Sequence, residues 1–132
     1  MSEKLLFTGK SHVTSGPNGT GRSSDGQFEI ALPEPHPAAE RLFSVAWSTC
    51  YLGAVGLAAQ RKKVTLPEPP AVDTEITLNL DAHGGFFLKA RMAVSLPGVD
   101  RAAAQEIIEA AHGICPYSKA THGNIEVTTT LV

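Results

Sequence analysis

The sequence predicts an α+β fold built on antiparallel sheets, and three patterns predict it. Alternating apolar residues recur in separate stretches at 27–32, 72–80 and 86–96. A long uncharged run, Leu42 to Ala59, falls between the first stretch and the others. An amphipathic segment, Arg101 to His112, precedes a last β-rich stretch. The order is therefore strands, long helix, strands, helix, strand. The 132 residues suit one domain, 1–132, with a real core. There is no internal repeat and no low-complexity segment.

Residues 4–14 read as a first strand. Gly16-Pro17-Asn18-Gly19-Thr20-Gly21 is a loop with three glycines and a proline in six residues. Ser24-Asp25-Gly26 is a second turn signal. From Gln27 to Leu32, Phe28, Ile30 and Leu32 share one face, the pattern of a half-buried strand.

Pro33-Glu34-Pro35-His36-Pro37 is a stiff connector, and Pro37 suits the first turn of a helix, where its missing N–H costs nothing. That helix is expected to run to about Lys62, with Arg61, Lys62 and Lys63 at its negative end. Leu66-Pro67-Glu68-Pro69-Pro70 is a link within the domain. Val72–Leu80 and Phe86–Leu96 alternate, and Asp81-Ala82-His83-Gly84-Gly85 reads as the loop of a hairpin. Pro97-Gly98 breaks the strand and Asp100 is placed to cap a helix over 101–112. Gly113 is expected to end that helix. Asn124 to Val132 reads as a final strand.

Composition narrows the function. Hydrophobic residues make up 42% of the chain and the formal net charge is −2. With no basic block and no RNA-type aromatic motif, nucleic acid is not an expected partner. The run Leu42–Ala59 is 18 residues without a formal charge. As a helix it would reach ~27 Å, close to a bilayer core. It also holds Ser44, Ser48, Thr49, Gly53 and Gly56, and the rest of the chain is strand-rich. Burial inside a fold is expected, with no membrane partner. Met1 to Phe7 lacks the apolar core and cleavage site of a signal peptide, so the expected location is cytoplasmic. Thiols there are kept reduced, which disfavours a permanent structural disulfide and permits a transient one.

The two cysteines, Cys50 and Cys115, are the most informative residues. Cys50 ends Ala46-Trp47-Ser48-Thr49-Cys50 inside the apolar helix. Cys115 opens Cys115-Pro116-Tyr117-Ser118 where the second helix stops. Two thiols on separate helices can form one reversible disulfide if the fold brings them together. The five histidines lack ligand spacing, with no His-x-x-x-His and no Cys-x-x-Cys, so they are expected on the surface and in loops, with no metal and no cofactor. Phe43 and Trp47 share a helical face. With Phe86 and Phe87 from a strand, they belong either to the core or to an apolar pocket.

Glu40-Arg41-Leu42-Phe43, Ser48-Thr49-Cys50, and Cys115-Pro116-Tyr117-Ser118-Lys119-Ala120-Thr121-His122-Gly123-Asn124-Ile125 together resemble the organic hydroperoxide resistance (Ohr) branch of the OsmC/Ohr peroxidases. The resemblance covers nearly the whole chain. It implies an intertwined homodimer in which antiparallel β-sheets wrap long central helices. It implies a cysteine-based peroxidase for organic and lipid-type hydroperoxides, without metal or haem. Cys50 would become a sulfenic acid, Cys115 would condense with it to a disulfide, and a dithiol on a lipoylated protein would reduce that disulfide.

A peroxidatic thiol must ionise, and Cys50 lies too far inside its helix to use the helix N-terminus. By the resemblance, a glutamate and an arginine supply the field. Glu40 maps to the glutamate. Ten residues of helix span ~15 Å, so Glu40 is expected to serve Cys50 of a second subunit across antiparallel helices. The family's arginine stands in a Gly-Gly-Arg-x-Gly loop, which here reads Ser15-Gly16-Pro17-Asn18-Gly19. Pro17 occupies its place, and Arg22 is the nearest substitute. His36-Pro37 stands where the family has Asn-Pro. Two other readings use the same residues: a redox sensor that oxidises once, and a dimer that binds an apolar ligand with weak or no turnover.

Overall fold

The computed structural model describes residues 2–132 and divides the chain into two compact units, Met1–Ala39 and Glu40–Val132. In the first unit, β1 (Ser11–Val13), β2 (Thr20–Ser23) and β3 (Glu29–Ala31) form an antiparallel meander with β2 at its centre. Ser11 pairs with Ser23, and Gly21 pairs with both Val13 and Ile30. The first strand is far shorter than the expected 4–14. Its partner β2 ends at Ser23, where Asp25 Oδ1 accepts hydrogen bonds from Ser23 Oγ at 2.6 Å and from the Gln27 N–H at 3.0 Å. That turn carries the chain away: the Lys10 carbonyl still accepts from the Ser24 N–H at 3.0 Å, and residues 2–9 have no ladder partner among the described residues. Leu5, Leu6 and Phe7 are accordingly exposed.

The second unit contains helix α1 (Ala38–Arg61, entered two residues before the unit begins), strands β4 (Ala71–Leu80), β5 (Phe86–Ser95) and β6 (Glu126–Leu131), and helices α2 (Arg101–Ile114) and α3 (Pro116–Thr121). The β4–β5 hairpin is antiparallel over ten pairs, from Ala71↔Ser95 to Leu80↔Phe86. Its turn is set by Asp81, whose Oδ1 accepts from the N–H groups of His83 and Gly85, both at 2.8 Å. The alternation in 72–80 and 86–96 foretold both strands. The last strand departs from the expected antiparallel sheet, since β6 runs parallel to β5, with Lys89 opposite Glu126 and Val94 opposite Leu131. The route from β5 through α2 and α3 is a helical crossover, which returns the chain to the starting end of the sheet and so requires parallel pairing.

Helix α2 begins as expected, with Asp100 Oδ2 accepting from the Ala103 N–H at 3.2 Å. Its end differs. Gly113 stays helical, the helix continues to Ile114, and the Cys115 N–H still bonds to the Ala111 carbonyl at 2.8 Å. Pro116 causes the break. It has no N–H to continue the ladder and forces Cys115 into an extended conformation, φ −65° and ψ 117°. The same proline then takes the first position of α3.

The core lies in the second unit. Helix α1 contributes Trp47, Tyr51, Val55 and Ala58 at helical spacing, β5 contributes Ala90, Met92 and Val94 from alternate positions, and α2 contributes Ala104, Ile107, Ile108 and Ala111. Burying each larger side chain stabilises by about 1.5–3 kcal/mol. Helix α1 is long and apolar enough to cross a membrane by length and composition. Along it, Trp47, Tyr51, Ala54, Val55, Ala58 and Ala59 are buried, while Val45 and Leu57 are exposed. The expectation of burial thus holds for one face of the helix within a single chain.

Candidate active site

Cys50 and Cys115 are both free, and their sulfurs lie 3.1 Å apart. Cys50 is carried midway along α1, one position before the buried Tyr51, so its side chain lies at the margin of the core-facing stripe. Cys115 sits in the single extended residue between α2 and α3, where Pro116 holds it. A disulfide needs about 2.05 Å, so a movement of roughly 1 Å joins the two sulfurs. Their exposures differ sharply. Cys115 is 0% exposed, whereas Cys50 is half-buried and reachable from solvent.

The first turn of α3 faces both sulfurs. The Ser118 N–H donates to Cys115 Sγ at 3.5 Å, and the Tyr117 N–H interacts with Cys50. These are amides that a helix start leaves without an internal partner. Burial pushes the Cys50 thiol above its ordinary value. The hydrogen bond shared with Cys115 acts the same way, and the Tyr117 amide opposes both. Cys50 therefore needs a cationic partner before it becomes an ample thiolate at neutral pH.

Behind Cys115 lies a polar cluster that fastens α3 to the rest of the unit. Trp47 Nε1–H donates to Ser118 Oγ at 3.0 Å. Ser118 Oγ also meets His112 Nδ1 at 2.8 Å, and His112 Nε2 meets Thr129 Oγ1 at 2.7 Å. Tyr51 packs on the His112 ring at 4.6 Å between centroids, and its hydroxyl donates to the Ile108 carbonyl at 2.8 Å. Burial raises the Tyr51 hydroxyl above the ordinary phenol range, with a smaller push from Cys115, so it remains a neutral donor. His122 stands edge-on to His112 at 5.1 Å, and its Nδ1–H donates to the Ser118 carbonyl at 2.7 Å.

His112 corrects the expectation that the histidines are surface and loop residues. It is half-buried, and burial followed by the His122 charge lowers its pKa to about 4. The signal for it was available. His112 falls four residues after Ile108 on the apolar stripe of α2, where a polar residue must find buried partners. Ser118, which belongs to the Cys115 motif but has no role of its own in the sequence reading, lies one α3 turn after Cys115.

The other expected site residues are Glu40 and Arg22, with aromatic residues for a pocket. Glu40 is half-buried in the first turn of α1. That helix is unbroken from Ala38 to Arg61, which puts Glu40 about 15 Å along the axis from Cys50 of the same chain. Arg22 is an exposed residue of β2 in the first unit, with its Cα opposite both His12 and Glu29. Phe43 stacks on the buried Trp47 at 5.7 Å, whereas Phe86 and Phe87 are exposed at the start of β5. Among the described residues, no group of three His, Cys, Asp or Glu side chains is placed to hold a metal. A cleft of about 310 Å³ on the sheet is lined by Asp73, Glu75, Arg91, Met92, Ala93, Thr128 and Thr130, and so by neither cysteine.

Residues 32–130 match the OsmC-like protein family. The organic hydroperoxide resistance protein of Xanthomonas axonopodis pv. citri is 33% identical over 138 aligned positions, covering 98% of this chain and 96% of that protein. The crystal structure of the organic hydroperoxide resistance protein OhrB of Bacillus subtilis superposes with a TM-score of 0.85 at 32% identity, covering 97% of this chain and all of the other. An organic hydroperoxide resistance protein from Elizabethkingia anophelis gives 0.88 at 33% identity, covering 98% of each chain. Together with the paired cysteines on α1 and before α3, these likenesses place the chain in the OsmC/Ohr family, on its organic hydroperoxide resistance branch.

Proposed function

We propose that this protein is a thiol-dependent peroxidase that reduces organic, lipid-type hydroperoxides to alcohols. The observation that carries the reading is the Cys50–Cys115 pair: two free sulfurs 3.1 Å apart, one reachable and one fully buried. A bulky hydroperoxide can meet only the reachable one. Cys50 is therefore the nucleophile and Cys115 the resolving thiol.

The Cys50 thiolate attacks the proximal peroxide oxygen and breaks the O–O bond. The oxygen stays on sulfur as Cys50 sulfenic acid, and the departing alkoxide takes a proton to become the alcohol. The Cys115 sulfur then attacks the Cys50 sulfur, a disulfide forms, and the sulfenic oxygen leaves as water. An external dithiol, here a lipoylated protein, reduces the disulfide and is itself oxidised to a cyclic disulfide. The amide of Tyr117 supports negative charge on Cys50, and no resident cofactor enters this sequence.

The upward push of burial on Cys50 requires a cation to offset it. Arg22 is assigned that part, as the arginine nearest in sequence to Pro17, and Glu40 holds it. Because α1 is continuous, Glu40 is assigned to Cys50 of a second subunit, in a homodimer that covers the open apolar face of α1. A dimer of one Cys50→Ala and one Glu40→Ala subunit tests this. Assignment across subunits predicts about half of wild-type activity from the one intact site, and assignment within a subunit predicts none.

The reading as a whole is tested by treating the reduced protein with one equivalent of cumene hydroperoxide and taking an intact mass. Loss of two hydrogens in the wild type, a stable oxygen adduct in Cys115→Ser and no change in Cys50→Ser are expected. An unchanged wild-type mass with both thiols free refutes it. The same upward push on Cys50 favours one further reading, a redox sensor that oxidises once. That reading predicts a disulfide that forms but turns over poorly with any dithiol.

A further inference from the structure

The cluster behind Cys115 has a proton arrangement that can be worked out. An indole nitrogen only donates, so Ser118 Oγ accepts from Trp47. The buried Ser118 hydroxyl still has one hydrogen to place, and the other side-chain group on its oxygen is His112 Nδ1 at 2.8 Å. Ser118 therefore donates to Nδ1. The neutral ring then carries its proton on Nε2 and donates to Thr129 Oγ1 at 2.7 Å. The result is a one-way chain, Trp47 to Ser118 to His112 to Thr129. It ties α1, α3, α2 and β6 together at the residue whose own N–H donates to Cys115 Sγ.

We propose that His112 and Ser118 are positioning residues for the resolving step, a clamp that holds Cys115 Sγ against Cys50 Sγ. The inference rests on the peroxidase reading for its biological use, though disulfide closure can be examined apart from peroxide. Backbone bonds hold the Cys115 main chain, its N–H to the Ala111 carbonyl and its carbonyl from the Lys119 N–H, but α3 has only six residues, and side chains must fasten its first turn to the rest of the unit. Hydrogen bonds converge on every polar atom of Ser118. Trp47 and His112 hold its hydroxyl, the His122 ring holds its carbonyl, and its amide meets the sulfur. Without that hold, the first turn of α3 can shift against α1 and α2 and draw Cys115 Sγ out of line. Cys50 would still be oxidised, but its sulfenic acid would persist and meet a second peroxide to give sulfinic acid.

The test compares wild type with Ser118→Ala, His112→Ala, His112→Asn and the double alanine variant. Rapid-quench mass spectrometry separates sulfenic acid formation from disulfide closure. Closure is also driven independently by diamide, a two-electron thiol oxidant that takes up both thiol hydrogens as the S–S bond forms. Ser118→Ala and His112→Ala are expected to form sulfenic acid at wild-type rate and to close at least 10-fold more slowly with either oxidant. They should also accumulate sulfinic acid at Cys50. His112→Asn, whose side-chain oxygen can accept from Ser118, should recover closure to within about 2-fold, and the double variant should be no worse than either single one. Closure within 2-fold of wild type in the alanine variants overturns the clamp, as does an equal fall in both steps. If Ser118→Ala does not fold, Thr129→Val replaces it, since it releases only the far end of the chain. A 3-fold or greater loss of closure is then expected, and none overturns the proposal. A wild type that closes with diamide but ignores hydroperoxide would sink the peroxidase reading and leave the clamp standing.

Discussion

Trp47 and Ser118, 71 positions apart in the chain, share a buried hydrogen bond of 3.0 Å that fastens the first turn of α3 to α1. Each lies three residues from a cysteine, Trp47 before Cys50 and Ser118 after Cys115. The bond therefore helps to determine how far apart the two sulfurs lie. Removing the donor alone, in Trp47→Phe, leaves a buried serine oxygen with one partner fewer and also removes some apolar volume. A loss of about 1–3 kcal/mol is expected, read as a lower urea midpoint at unchanged m-value.

Tyr51 offers a cleaner measure of buried polarity. Its hydroxyl donates to the Ile108 carbonyl, and α1 meets α2 there. Tyr51→Phe removes that oxygen and little else, so stability should fall by about 1–2 kcal/mol. On the proposed peroxidase reading, hydroperoxide reduction by the folded variant should stay near wild type. A change of under a few tenths of a kcal/mol would show that water replaces the lost partner.

Acid should weaken the fold through His112. Its pKa is lowered from 6.5 to about 4 by burial and by His122, so between those values the unfolded chain binds a proton that the folded one does not. The stabilisation from the neutral ring is complete above the unfolded value, is lost as pH falls towards the folded value, and changes no further below it. The maximum slope for one proton is about 1.4 kcal/mol per pH unit. The ring is only partly sheltered and solvent screens it, so about 1–2 kcal/mol over the whole window is expected. Urea midpoints measured between pH 7 and pH 4 check this. His112→Asn should flatten the profile, and an unchanged slope in that variant would assign the acid sensitivity elsewhere.

Asp100 caps α2, the helix that delivers Cys115 to the site. Asp100→Ala leaves the Ala103 amide without its acceptor and should lower stability by about 0.5–2 kcal/mol. Asp100→Ser should restore most of it. Thermal unfolding of the three proteins checks the order.

Gly98 has φ +77°, and a Cβ there would lie 2.6 Å from Pro67 Cγ. Gly98→Ala meets both the backbone penalty and the ring. It should destabilise by about 1–3 kcal/mol, whereas Pro67→Ala with Gly98→Ala should recover the steric part. Additive losses in the double variant would count against that contact.

Much of this protein could be read along the chain, because its signals are local. Alternation in 72–80 and 86–96 marked β4 and β5, Asp100 marked the start of α2, and Pro37 marked the approach to α1. The contexts of Cys50 and Cys115 carry the family resemblance without any geometry. Local reading failed where the decision lay with a distant partner. The length of β1 depended on where β2 stops, and the direction of β6 on the crossover through α2 and α3. Gly113 looked like a helix end because glycine favours one, yet the helix continues until Pro116 removes a donor.

Residue types, their periodicities and the two cysteine motifs were thus determined by sequence alone, since each depends on neighbours a few positions away. Only the tertiary structure decided that the sulfurs meet at 3.1 Å, that one is sealed and the other open, and that His112 is half-buried and neutral behind them. Those properties arise when α1, α2, α3 and β6 exclude water from a shared volume. Inside it, every polar group must find a partner, and no single stretch of chain contains them all.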